Sequence, residues 1–291
     1  MANKARPRRS VLYMPGSNAR ALEKAKGLAA DSLILDLEDA VAPDAKVTAR
    51  RQVVEAVKAG GYGYRELVIR VNGLDTPWGE EDLHAVATAG ADAILLPKVE
   101  SEAMVAAAET KLREAGAPEG LPIWCMMETP LGILNAKEVA AASPHVSCLV
   151  MGTSDLVKEL RAAHTPLRLP VLTSLSLCIL AARAHGLAAL DGVHLDLNDD
   201  EGFRAACLQG KELGFDGKTL IHPKTLEAAN EVFSPNAEEV AQARRIIEAF
   251  AEASAEGKGV VLLDGKLIEN LHVEIARRSV ALADAIAAQG A

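Results

Sequence analysis

The chain has 291 residues, of which 49% are hydrophobic and only 3% aromatic. That length suits a single (β/α)8 barrel of about 250 residues with a short extension, its core filled by Ala, Leu, Val and Ile. A net charge of -9 argues against non-specific binding to nucleic acid or to an anionic membrane surface.

The N-terminal run Lys4-Ala5-Arg6-Pro7-Arg8-Arg9 is basic, but no apolar stretch of signal-peptide type follows it, because Pro15-Gly16 interrupts the segment at 11–14. No stretch approaches the length of a membrane span. The four cysteines, Cys125, Cys148, Cys178 and Cys207, have no CxxC spacing and read as buried thiols of a reducing compartment. A cytoplasmic protein is expected.

In chain order, short aliphatic runs alternate with alanine-rich segments of helical period, which predicts an α/β fold with a parallel sheet wrapped by helices. Expected strands are Ser10–Met14, Ser32–Leu37, Leu67–Val71, Ala93–Pro97, Ile123–Met127, Cys148–Met151, Ala189–His194 and Thr219–Ile221. Expected helices are Ala19–Ala29, Ala45–Ala59, Glu80–Ala89, Ser101–Ala115, Leu172–His185 and Glu201–Leu213. Eight strands in alternation favour a closed TIM barrel over an open doubly wound sheet, and no GxGxxG follows the first strand.

After Pro223 the pattern becomes helical, with segments at Leu226–Val232, Ala237–Ala253 and about Ile268–Ala288, and a short apolar run at Val260–Leu263. The reading is therefore a barrel over residues 1–223 and a C-terminal helical extension over 224–291. So small an extension is expected to pack on the barrel or on a neighbouring subunit.

Catalytic groups of such barrels stand at the C-terminal ends of the strands. Those positions carry Asp36, Glu38 and Asp39, then Arg70 and Asn72, Lys98, Glu128, Ser154 and Asp155, Asp191 or Asp196, and His222. Carboxylates converging on one mouth repel each other unless a cation sits among them, and all-oxygen ligands suit Mg²⁺. The competing view is that each acid caps the next helix, which is preferred for Asp44 and Asp199. At Glu128 the cap falls to Thr129, which leaves the glutamate free. Arg70 suits bidentate capture of a carboxylate, or an ion pair with the Asp36, Glu38 and Asp39 cluster. Lys98 as a Schiff-base nucleophile would need a neutral amine, which the surrounding acids disfavour.

Seven motifs carry a resemblance: Arg9-Ser10-Val11-Leu12-Tyr13-Met14-Pro15-Gly16-Ser17, Leu35-Asp36-Leu37-Glu38-Asp39-Ala40-Val41, Ile69-Arg70-Val71-Asn72-Gly73, Leu96-Pro97-Lys98-Val99, Met127-Glu128-Thr129, Met151-Gly152-Thr153-Ser154-Asp155-Leu156 and Gly217-Lys218-Thr219-Leu220-Ile221-His222-Pro223. Together and in this order they resemble the citrate lyase β-subunit-like proteins, which include malyl-CoA and citramalyl-CoA lyases. The resemblance implies a (β/α)8 barrel that uses Mg²⁺, with Mn²⁺ as a substitute, and acts on a coenzyme A thioester. By that resemblance Glu128 and Asp155 match the metal ligands, Arg70 grips a keto-acid carboxylate, and Glu38 and Asp39 stand behind them. Tyr13 and Lys24 match positions near coenzyme A, while Ser154, Ile221 and His222 match substrate contacts. Asp264 resembles a C-terminal catalytic aspartate that reaches a neighbouring subunit, so a homo-oligomer, trimer or hexamer, is expected. Asn18 departs from the arginine of malyl-CoA lyases, and the segment after Asp155 is shorter than theirs.

The implied reaction is a retro-Claisen cleavage of a 2-hydroxyacyl-CoA, such as citramalyl-CoA or malyl-CoA, to an α-keto acid and acetyl-CoA. The alternatives are a citrate lyase β subunit acting on an acyl-carrier-protein thioester, a malyl-CoA thioesterase, and a non-catalytic scaffold that binds CoA esters.

Overall fold

The computed structural model describes residues 6–290. Its strands are β1 (Ser10–Pro15), β2 (Ser32–Asp36), β3 (Glu66–Arg70), β4 (Ala93–Leu96), β5 (Ile123–Met127), β6 (Val146–Met151), β7 (Ala188–Asp191) and β8 (Gly217–Leu220). They close in sequence order, with β8 pairing parallel to β1. Around them run α1 (Ala19–Ala25), α2 (Lys46–Ala59), α3 (Gly79–Val86), α4 (Glu102–Glu114), α5 (Pro130–Leu134), α6 (Ala136–Ala141), α7 (Thr153–Glu159), α8 (Leu172–Ala184) and α9 (Asp200–Leu213). The fold is the (β/α)8 barrel.

Then follow α10 (Leu226–Phe233), α11 (Ala237–Ala255), β9 (Val261–Leu263), β10 (Lys266–Ile268) and α12 (Asn270–Gln289). Arg8–Glu231 form one compact unit, and the described residues from Val232 onward belong to a second. This boundary falls later than the change in sequence pattern after Pro223. The reason is local: on α10, Asn230 accepts from Ser10 Oγ and donates to the Ala29 carbonyl, both at 2.7 Å.

Inside the barrel, every second residue of the strands meets at the axis. Val11, Ile34, Val68, Ala93, Leu95, Trp124, Met126, Cys148, Val150 and Leu190 form one buried cluster. The period of two that fills this interior also fixes which polar residues point inward at the strand ends. At the opposite end Arg8 closes the floor. Its fork donates twice to Glu66 at 2.7 Å and lies 5.0 Å from the Trp124 ring centre. Arg9 is committed to Asp31 in the same way, at 2.8 and 2.7 Å. This part of the basic N-terminal run is thus structural, while Lys4 and Ala5 lie outside the described residues.

All four cysteines are buried and free. Among the described residues no helix is long and apolar enough to cross a membrane. Three short helices, α5, α6 and α7, are absent from the sequence expectation, because five to seven residues hold too little periodicity to stand out. β7 ends at Asp191 rather than His194. At Gly192 the chain passes close to the Thr153 side chain and the Met151 carbonyl, and there it leaves the sheet.

In the second unit, α11 starts with a capping box between Asn236 and Glu239. β9 and β10 form a hairpin through Asp264 and Gly265, with φ of 51° and 75°. A two-residue turn with both φ positive is the Asp-Gly form that suits strand twist.

Candidate active site

Alternation carries Asp36, Arg70 and Glu128 to the mouth, since each follows an interior residue by two: Ile34, Val68 and Met126. Asp36 and Arg70 are register partners on β2 and β3. Arg70 donates from Nε and Nη2 to the two Asp36 oxygens at 2.7 and 2.6 Å. Its Nη1 lies 3.0 Å from Glu38 Oε2 and 3.8 Å from Asp39 Oδ2. The guanidinium also stacks 4.8 Å over the Tyr13 ring, a cation–π contact. Burial opposes the charge on Asp36, but Arg70 outweighs it and holds the carboxyl below its usual range. Burial pushes the Tyr13 phenol up, with Arg70 opposing, and its hydroxyl rests 3.3 Å from Met126 Sδ.

The fork of Arg70 is therefore occupied by Asp36, and the ion-pair reading describes its Nε and Nη2 edge. Glu38 Oε2 has no hydrogen-bond partner among the described residues although it is buried. Its 3.0 Å approach to Nη1 is a charge contact without hydrogen-bond alignment. Behind this group Lys46, buried at the start of α2, donates to the Leu37 and Glu38 carbonyls and to Asn72 Oδ1 at 2.7–2.9 Å. It stiffens the β2 loop, a role that the sequence does not signal.

Glu128 is buried, and its Oε1 accepts from the Lys98 main-chain N–H at 2.8 Å. Burial pushes its carboxyl up to about 7, and the Glu38 charge adds to the effect. Its other oxygen lies against Gly152, where a Cβ would overlap Glu128 Oε2 and Cβ. Three residues beyond Gly152, Asp155 stands in the first turn of α7 and is half-buried. As expected, Thr129 takes the cap, accepting from Gly132 N at 3.0 Å. No cluster of three or more His, Cys, Asp or Glu side chains with metal-ligand geometry occurs among the described residues. Glu128 is a buried carboxylate whose charge a cation would relieve, and with Asp155 it offers the oxygen donors that suit Mg²⁺.

Lys98 donates from Nζ to Glu38 Oε1 at 2.6 Å. Burial works against its charge, but the Glu38 bond and the neighbouring carboxylates raise its pKa above the usual range. A charged Lys98 is unsuited to Schiff-base chemistry.

Of the other expected residues, Ser154 is half-buried, with an Oγ that has no partner among the described residues. Lys24 is exposed on α1, and Ile221 and His222 are exposed just past β8, where His222 Nδ1 accepts from Lys224 N at 3.1 Å. Asp39 is exposed at the edge of the Arg70 group. Asp264 stands in the β9–β10 turn of the second unit, where Arg245 donates to it at 2.8 Å and keeps its carboxyl below the usual range.

Two strand-end readings are corrected. Asp191 is not a mouth residue: Leu190 takes the interior frame, so Asp191 faces the α9 side, where Lys218 and Arg168 each donate at 2.7 Å. Asp196 is exposed and accepts from Asn198 N at 2.8 Å. Asp199 caps α9 as expected, but Asp44 does not cap α2, which begins at Lys46 with Ala45 at the N-cap position and no side-chain cap.

A parallel barrel with buried carboxylates and a guanidinium gathered at its strand ends has the layout of an enzyme site, and its sequence places it further. The chain belongs to the HpcH/HpaI aldolase/citrate lyase family, whose model matches residues 9–223. It is 55% identical over 288 residues to a (3S)-malyl-CoA thioesterase of Cereibacter sphaeroides, a match that spans 99% of both chains. It is 38% identical to the citrate lyase subunit beta of Leuconostoc mesenteroides, over 97% of this chain and 95% of that one. Among solved structures it is similar to the protein CitE of Mycobacterium tuberculosis, in complex with magnesium, acetoacetate and coenzyme A. There the identity is 28%, the TM-score 0.77, and the match covers 97% of this chain and 99% of the other.

Proposed function

We propose that this chain is a Mg²⁺-dependent enzyme acting on (3S)-malyl-CoA or a close 3-hydroxyacyl-CoA that ends in a carboxylate, and that its principal outcome is hydrolysis of the thioester. The observation that carries the reading is the pairing, at one barrel end, of a rigidly held Arg70 with the buried Glu128. One group suits the carboxylate of the acyl chain, the other a cation that binds its oxygens.

Glu128 and Asp155 would hold the ion, which when bound supplies Lewis acidity toward the acyl oxygens. Asp36 fixes the guanidinium plane, so the approach of a carboxylate to Arg70 requires no reorganisation of that side chain. Tyr13 covers the face of the guanidinium and keeps water from it. Ser154 Oγ, buried and without a hydrogen-bond partner among the described residues, offers a further hydrogen bond to the bound acyl group.

The same grip serves two reactions. Loss of the 3-hydroxyl proton would break the C2–C3 bond and give glyoxylate and the enolate of acetyl-CoA, which takes up a proton to become acetyl-CoA. Water adding at the thioester carbonyl would instead break the C–S bond and give malate and free coenzyme A. The sequence motifs by themselves favour cleavage. The full-length 55% identity to a (3S)-malyl-CoA thioesterase favours hydrolysis, whereas the citrate lyase subunit is more distant at 38%. Carbon–carbon cleavage, of malyl-CoA or citramalyl-CoA, is the second reading.

The test is product analysis. Purified protein is incubated with (3S)-malyl-CoA, with and without Mg²⁺, and malate, glyoxylate, acetyl-CoA and free coenzyme A are separated and counted. Malate and coenzyme A in equal amounts are expected, and chelation should stop their release. Stoichiometric glyoxylate and acetyl-CoA would move the assignment to the lyase, and turnover that survives exhaustive chelation would overturn the metal dependence.

A further inference from the structure

Lys98 bridges the two halves of the mouth. Its φ is 46°, a left-handed conformation that non-glycine side chains rarely adopt. Backbone of this kind persists where the surroundings over-determine it, and it clusters at functional sites. The surroundings here are specific. The Lys98 N–H donates to Glu128 Oε1 at 2.8 Å, and the next N–H, of Val99, donates to the Met126 carbonyl at 3.1 Å. Gly132 in α5 packs so closely on the Val99 carbonyl that a Cβ there would overlap it. The turn after β4 is clamped on both sides.

The side chain meets the other half. Nζ takes Glu38 Oε1 at 2.6 Å, while Glu38 Oε2 reaches Arg70 Nη1 only as an unaligned charge contact at 3.0 Å. With Nε and Nη2 bound to Asp36, Nη1 is the nitrogen of Arg70 that makes no hydrogen bond among the described residues. Without the ammonium, Glu38 would be free to rotate both oxygens onto that nitrogen.

We propose that Lys98 is a positioning residue with two separable tasks: its ammonium holds Glu38 by Oε1, so that Glu38 meets Arg70 Nη1 only as an unaligned charge contact and leaves the hydrogen bonds of that nitrogen to an acyl carboxylate, and its left-handed main chain orients Glu128 toward the cation. This deepens the function proposed above and rests on it. Simple charge balance makes the opposite forecast for the metal. An ammonium beside Glu38 and Glu128 repels a cation, so its removal alone would tighten metal binding.

Three variants separate the tasks. Lys98→Gly removes the ammonium and accepts the left-handed backbone. Lys98→Val removes the ammonium and, being β-branched, resists that backbone. Lys98→Arg keeps a cation. Mn²⁺ affinity and pyruvate affinity are measured by calorimetry on each folded protein, alongside KM and kcat for (3S)-malyl-CoA. Lys98→Gly is expected to weaken pyruvate binding and raise KM about tenfold, the effect of one charged hydrogen bond, with Mn²⁺ affinity unchanged or tighter. Lys98→Val should show the same KM effect and in addition bind Mn²⁺ about tenfold more weakly. Lys98→Arg should recover part of the KM effect. Wild-type KM and pyruvate affinity in Lys98→Gly would overturn the first task, and equal Mn²⁺ affinity in the Gly and Val variants would overturn the second. If the wild type turns over no malyl-CoA, the proposed function fails, while the pyruvate and Mn²⁺ titrations still decide the roles of Lys98.

Discussion

Asp36 and Arg70, partners in the β2–β3 register, are joined by two hydrogen bonds of 2.7 and 2.6 Å, and both side chains are buried. An ammonium cannot reproduce that fork. Arg70→Lys should therefore lower kcat/KM by about a hundredfold or more, and leave Asp36 half-paired. Asp36→Asn should cost stability instead, about 3–5 kcal/mol, because it strands a buried guanidinium. Steady-state kinetics and chemical denaturation of both variants check this. A lysine variant with near-normal kcat/KM would make Arg70 a purely structural ion-pair partner.

Gly152 has an ordinary φ of -101°, so its substitution meets no backbone strain. Any effect of Gly152→Ala must come from the methyl group pressing on Glu128 and, less closely, on the tip of the Met126 side chain. The variant should fold with a loss of about 1–3 kcal/mol, and its Mn²⁺ affinity should fall at least as far as that of Glu128→Gln. Calorimetric Mn²⁺ titration of the two variants side by side is the measurement. Unchanged affinity in Gly152→Ala would separate Glu128 from the cation.

Asp191 lies between Lys218 and Arg168, and although burial opposes its charge, these two cations hold its carboxyl below the usual range. A folded-state pKa below the unfolded value means that the contribution is complete above about 3.9, the unfolded value, and is lost as pH falls toward the folded one. At pH 7, Asp191→Asn should destabilise the barrel by about 3–5 kcal/mol. The gap between wild type and variant should hold from pH 7 to 5 and narrow below pH 4. Denaturation curves across that range test the sign, and a gap that widens on acidification would refute it.

These residues also mark how far the sequence could be read. The eight strands are legible because each is a short aliphatic run set between helical segments, and the runs survive errors of a residue at either end. The fate of a strand-end acid does not survive such an error. Asp36 and Asp191 look alike in sequence, yet one shares the frame of Ile34 and points inward, while the other follows Leu190 and points out. Counting by twos from the interior aliphatics would have separated them. The partnership of Asp36, rather than Glu38, with the Arg70 fork depends on register. The close pass of Gly152 over Glu128 depends on how β5 and β6 are aligned. Lys46 carries no local signal, for its partners lie on the β2 loop and beyond β3.

Asp264 occupies a hairpin turn and pairs with Arg245, which is what an ordinary turn aspartate would do. If it also completes the active site of a neighbouring copy, Glu128→Ala and Asp264→Ala proteins, each nearly inactive, should regain part of the activity when unfolded and refolded together. Mixed oligomers would then hold one site with both acids. A mixture no more active than its parts, with mixed oligomers verified by mass spectrometry of tagged chains, would confine Asp264 to its own chain or to no catalytic role.

The floor of the barrel has a consequence for the choice between the two reactions. With Arg8 bound to Glu66 beneath the fully buried Trp124 and the axis above filled by the core cluster, no water reaches the mouth through the barrel, and under the proposed function a hydrolytic water would have to enter by the rim that admits the thioester. The product ratio then becomes a gauge of rim traffic. Conditions that keep the rim crowded, such as high viscosity or a bulkier acyl chain, should favour rupture of the carbon skeleton over release of the free acid. Variants that widen the rim should shift the ratio the other way without touching Arg70 or Glu128.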